Sequence, residues 1–137
     1  MDTETSRKIV MDAWAAFASR DPARIGAVFA RDADWLAQPG NATAKALDMP
    51  SHIIGREALT AFLDDGFRRL YNDVDVTFRG FYADGARVIV EETMTATLPD
   101  GRPYKNDYCF VFELENGLIR HVREYMDTAA GHRMVFG

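Results

Sequence analysis

Three dipeptides, Asp84-Gly85, Asp100-Gly101 and Asn116-Gly117, cut the second half of this chain into strand-length pieces. Asp-Gly and Asn-Gly readily take the left-handed backbone of tight hairpin turns. Between them apolar and polar residues alternate with period two, the mark of a strand with one buried face. Strands are therefore predicted at about 74–82, 86–98, 104–114 and 118–127, joined as an antiparallel meander. Little else is compatible with three such turns in a row.

The first half has a different period. Ile9, Val10, Ala13, Trp14 and Phe17 recur at helical spacing, which predicts an amphipathic helix over Thr3 to Ser19, with Thr3 or Thr5 as its cap. Asp21 followed by Pro22 is a helix start, and a short second helix is expected to run to about Phe29. A short strand and loop follow over 32–40, then an irregular stretch over 41–55 suited to a pocket rim. Leu59, Phe62, Leu63, Phe67 and Leu70 restore the helical period, with Gly66 a weak point inside it. Helices first and a meander last predict an α+β fold. Its form is a cone-shaped barrel of three N-terminal helices packed on a strongly curved, mostly antiparallel sheet. At 137 residues it is expected to be a single domain, 1–137.

A curved sheet covered on one face leaves an open mouth, and strand parity says which side chains point into it. Val88, Val90, Glu92, Met94, Ala96 and Leu98 share one face. Glu92 is thus a carboxylate set in an apolar row. In the next strand Tyr104, Asn106, Tyr108, Phe110, Phe112 and Leu114 share a face. In the last strand, simple parity groups Ile119, His121, Arg123, Tyr125 and Asp127, although a bulge would exchange the faces. A carboxylate in an apolar cavity is costly to ionise, so its pKa rises into the range useful for general acid or base work. A neighbouring phenol can donate to a developing oxyanion. Asp127, Tyr108 and Glu92 are the candidate catalytic set. Trp35, Gln38, Met94, Tyr104, Asn106, Phe110, Phe112 and His121 are the candidate substrate-binding residues. Asp127 has an alternative reading as a solvated strand end paired with Arg123.

The net charge of −5 disfavours nucleic acid as a partner. The single cysteine, Cys109, rules out an internal disulfide, and the three histidines are too scattered to suggest a metal site. No cofactor is expected. No apolar run approaches a membrane span, and the polar N-terminus carries no signal segment, so the cytosol is the expected location.

The stretch "DGRPYKNDYCFVFELENGLIRHVREYMDT", together with the element order, resembles the SnoaL-like, ketosteroid-isomerase-like branch of the nuclear-transport-factor-2-like superfamily. That resemblance implies a cone with a deep apolar pocket, commonly a homodimer through the outer face of the sheet. Ketosteroid isomerases place a basic Asp where "LAQPG" here puts Gln38, which cannot take a proton. Their neutral oxyanion-hole acid lies on the penultimate strand, closest here to Tyr108. Limonene-epoxide hydrolases carry an Asp in a motif similar to "REYMD", matching Asp127, but their Arg-x-Asp pair is missing around Glu92. SnoaL-type cyclases, which rely mainly on one pocket carboxylate, fit better. The expected function is binding of a small apolar molecule bearing a carbonyl or epoxide, with cofactor-independent acid/base catalysis of cyclase, isomerase or hydrolase type. The alternative is a non-catalytic binding protein for a hydrophobic metabolite.

Overall fold

The computed structural model describes residues 2–137. Helix α1 spans Thr3–Ser19 and α2 spans Pro22–Ala27. Strand β1 (Phe29–Leu36), helix α3 (Ala42–Leu47), strand β2 (His52–Ile54) and helix α4 (Arg56–Ala61) follow. Then come β3 (Asn72–Asp84), β4 (Arg87–Thr97), β5 (Pro103–Glu115), β6 (Leu118–Met126) and helix α5 (Thr128–Phe136). The α+β order is as the sequence predicts, with more helix than it shows. The irregular stretch contains α3 and β2, and the C-terminal tail is helical.

All six strands form one curved, unclosed sheet in the order β2-β1-β6-β5-β4-β3. Strands β3 to β6 are the meander. Strand β1 lies parallel to β6, and β2 pairs antiparallel on its outer edge. The three turn glycines, Gly85, Gly101 and Gly117, all have positive φ, the conformation that the turn dipeptides call for.

The caps explain where the helices begin. Asp2, rather than Thr3 or Thr5, caps α1 by accepting from the Thr5 amide at 3.1 Å. Asp21 caps α2 with Pro22 at its first position, as predicted, although the helix stops at Ala27 because β1 already begins at Phe29. Asn41 caps α3 by accepting from Ala44, the signal the irregular stretch concealed. Helix α4 passes into a π-helical turn at Phe62–Gly66, where the sequence already showed a weak point.

Helix α1 lies across the concave face. Val10, Ala13 and Phe17 pack there against Val88, Val90 and Phe112, all of them buried. Trp14 meets Phe110 and Phe112 edge to face, with ring centroids 5.2 and 5.4 Å apart. The inward rows of β4 and β5 are those read from the alternation, buried at every second position. Beyond this aromatic core the concave face is not filled.

Candidate active site

The unfilled part is a cavity of about 750 Å³, within the range of small-molecule pockets. Trp14, Trp35, Phe62, Met94 and Phe110 form much of its apolar wall. Into that wall β4 and β6 set two carboxyl groups, Glu92 and Glu124. Strand β5 lies between them. Glu92 is opposite Tyr108, and Glu124 is opposite Phe110.

Glu92 is 3% exposed, and its Oε2 has no hydrogen-bond partner. Burial pushes its pKa up to about 8, helped by the charge of Glu124 and opposed by the Trp14 indole. Glu124 is half-buried and accepts a hydrogen bond from Trp35 Nε1–H at 2.8 Å. Burial raises its pKa to about 7, with the Trp35 bond pulling the other way. Near neutral pH the pair therefore offers one carboxylate and one carboxylic acid on a single apolar wall. Because the charges interact, they titrate as a pair.

Tyr108 also lines the cavity. Burial holds its phenol well above the ordinary pKa, so it is a donor and not a phenolate. Tyr104 and Asn106 stand behind it. Tyr104 Oη lies 2.6 Å from Tyr108 Oη and accepts from Asn106 Nδ2 at 3.1 Å.

Thus Glu92, Tyr108, Trp35, Met94 and Phe110 come together on the cavity, as the sequence proposed. Tyr104 and Asn106 are buried one layer back, and Phe112 is fully buried beneath Trp14. Gln38 sits in the loop after β1 with a buried, unpartnered Oε1, and it is not on the cavity wall. His121 points to the outer face, where it and His52 both bond Asp34 across adjacent strands.

The main correction concerns Asp127. It is exposed, lies just past the end of β6, and accepts from the Ala130 amide at 3.0 Å as the N-cap of α5. Arg123 does not hold it either, since that guanidinium pairs with Glu113. Asp127→Ala is expected to cost about 1 kcal/mol of stability through loss of the cap, with ligand affinity in the cavity unchanged. Weaker ligand binding in that variant, beyond what its melting temperature explains, would return Asp127 to the site.

The acid that does enter the cavity, Glu124, escaped the parity argument. The register between β5 and β6 shifts between Glu113 and Leu114, which pair with His121 and Ile119 and leave Arg120 as an extra residue. Inward positions are therefore Ile119 and then Val122, both buried, with Glu124 two residues on. The signal was present in the sequence. Two β-branched apolar residues three apart among charged neighbours cannot share a face without a bulge.

The SnoaL-like domain family matches residues 10–122, most of the chain. The chain belongs to the SnoaL-like domain family. No curated protein matches it significantly. Among solved structures, an NTF2-like protein from Burkholderia xenovorans LB400 is similar over 98% of each chain, with a TM-score of 0.82 and 26% identity. TerC, co-crystallised with polyporic acid, has a TM-score of 0.83 and 20% identity over 97% of this chain and 99% of its own. An LEH-like epoxide hydrolase of M. tuberculosis has a TM-score of 0.76 and 20% identity over 99% of this chain and 92% of its own. These last two likenesses show the fold, and a fold of this kind carries many reactions. This SnoaL-like chain also has no helix, among the described residues, long and apolar enough to cross a membrane.

Proposed function

We propose that the protein binds a small, largely apolar molecule carrying a carbonyl or epoxide in this cavity and performs proton transfer on it without a cofactor. The observation that carries this reading is the pair of carboxyl groups on one apolar wall, with pKa values raised to about 7 and 8. Glu124, the more acidic, is the base in its ionised form. Glu92, still protonated near neutrality, is the acid. For a ketone, Glu124 takes a proton from the carbon next to the carbonyl while Glu92 or Tyr108 hydrogen-bonds the oxygen as it gains charge. For an epoxide, Glu124 accepts a proton from an attacking water and Glu92 protonates the departing oxygen. The ligand-bound TerC structure and the epoxide hydrolase of the same fold support a cavity of this class. The same reading places the chain in the cytosol as a homodimer through the outer sheet face, where Tyr82, Ile89 and Tyr125 are exposed.

Hydrogen–deuterium exchange of acetophenone in D2O, followed by proton NMR, tests the proton-transfer step. Its methyl protons are expected to exchange faster with the protein present. The rate rises with pH as Glu124 ionises near 7 and falls again as Glu92 loses its proton near 8. Glu124→Gln is expected to reduce the exchange by roughly a hundredfold or more. Tight binding of acetophenone with no exchange at any pH, together with no hydrolysis of styrene oxide, would instead make the protein a binding module.

A further inference from the structure

The hydrogen bonds behind Tyr108 have a direction, and Asn106 sets it. Asn106 Oδ1 accepts from the backbone amide of Asp107 at 2.9 Å, and its Nδ2 donates to the backbone carbonyl of Asp127 at 3.0 Å. A backbone N–H can only donate and a carbonyl can only accept, so these two bonds fix which end of the amide is which. The NH2 end therefore faces Tyr104 and donates to its hydroxyl oxygen at 3.1 Å. Gly131 of α5 seals this corner. A Cβ there would stand 3.3 Å from Asn106 Nδ2, so α5 packs directly on the amide.

Tyr104 now has one proton to place. Asn106 Nδ2 has no lone pair to receive it. The Tyr71 hydroxyl bonds instead to Thr43 Oγ1 at 2.8 Å, and the only hydrogen-bond partners in reach of Tyr104 Oη among the described residues are Asn106 Nδ2 and Tyr108 Oη. The remaining partner is Tyr108 Oη, at 2.6 Å. If Tyr108 donated in that bond instead, the Tyr104 proton would be stranded in a residue 2% exposed, an unsatisfied buried donor. With Tyr104 as donor, the free proton belongs to Tyr108, which lines the cavity and can use it there.

We infer that Asn106 and Tyr104 are positioning residues that polarise a hydroxyl chain, so that Tyr108 presents its proton to the cavity and selects ligands offering an acceptor oxygen beside Glu92. The chain runs Asn106 N–H to Tyr104 O, Tyr104 O–H to Tyr108 O, and Tyr108 O–H to the ligand. Each donor bond strengthens the next. The raised pKa of Tyr108 fits, because the phenol keeps its proton while donating it. The polarity of the chain stands on the bonds above. The acceptor-bearing ligand rests on the proposed acid/base reading.

Two measurements separate these parts. In the unliganded protein carrying tyrosine 13C-labelled at Cζ, the proton in the short phenol–phenol bond is expected downfield. It should correlate with Tyr104 Cζ, an assignment made with Tyr104→Phe. In Asn106→Asp the new carboxyl oxygen accepts from Tyr104, so the bonded proton should correlate with Tyr108 Cζ instead. Correlation with Tyr108 in the wild type, or the same correlation in both proteins, overturns the inference. With acetophenone as probe, its carbonyl stretch is expected at lower frequency in the wild type than in Tyr108→Phe. Its affinity should fall about tenfold in both Tyr108→Phe and Asn106→Asp. Equal affinity in wild type and Tyr108→Phe overturns the donor role of Tyr108. If wild-type protein shows the Tyr104 correlation and no acetophenone binding, the polarity is upheld and the carbonyl-ligand reading above fails. Should Asn106→Asp not fold, Tyr104→Phe and Tyr108→Phe decide the matter, since each removes only one hydroxyl.

Discussion

Glu92→Gln is expected to make the protein more stable at pH 8 and to leave it nearly unchanged at pH 5. Unfolded, Glu92 titrates near 4.5; in the folded protein it titrates near 8. Between those values the folded state holds a proton that the unfolded state has released. Stability therefore falls as pH rises through this window. The contribution is fully present below about 4.5 and gone above about 8. At about 1.4 kcal/mol per unit of pKa, the loss is on the order of 5 kcal/mol at most. Gln has the shape of the protonated acid and never ionises, so the variant escapes the loss. The depressed acids elsewhere do not confuse the result. Asp34, held low by His52 and His121 against its own desolvation, and Glu113, held low by Arg123 and Arg87, lose their contributions only as pH falls below the ordinary carboxylate range. Urea denaturation midpoints at pH 5, 7 and 8 make the test. Parallel curves for wild type and variant would mean that Glu92 titrates like a surface acid, and the acid half of the proposed pair would be lost with it. Stabilisation together with lost exchange activity is the pattern of a group retained for chemistry at the expense of stability.

Much of the fold was legible because its signals are local. Each hairpin turn carries a dipeptide that favours its backbone geometry, and the strands β4 and β5 alternate without interruption. Glu92 and Tyr108 could be placed on one face for that reason, and they are cross-strand neighbours. What failed was parity carried through β6. One extra residue reverses every side chain beyond it, so the acid assigned to the pocket was three positions from the acid that occupies it. Asp127 misled for a second reason. Asp followed by Thr-Ala-Ala is a helix start, and an N-cap carboxylate is held by backbone amides whatever lies nearby. The partners of Tyr104 and Asn106 were illegible for a third. Parity places a side chain on a face but does not say whether a helix such as α5 then covers it.

Deleting Arg120 is the direct test of that bulge, and it is expected to cost no more than about 1 kcal/mol while Glu124 keeps its place. The residues on either side already pair in sequence: Val122, His121, Ile119 and Leu118 lie opposite Phe112, Glu113, Leu114 and Glu115. Without Arg120 that register is continuous. Ile119 and Val122, 0% and 1% exposed, then stand two apart and share the inward face by simple alternation, with Glu124 two residues further on. What the deletion removes is the contact of Arg120 with Asp32, a pair worth up to about 1 kcal/mol. Arg120→Ala is the control, because it loses the same contact and keeps the extra residue. Urea denaturation of both variants makes the comparison, and the two are expected to agree within about 1 kcal/mol. The proton-transfer activity assigned to Glu124 should survive in both. A deletion several kcal/mol more costly than the alanine substitution would mean that β6 does not close up into the regular register. The inward orientation of Glu124, and with it the paired acid and base, would then depend on the bulge itself rather than on the alternation that runs from Val122.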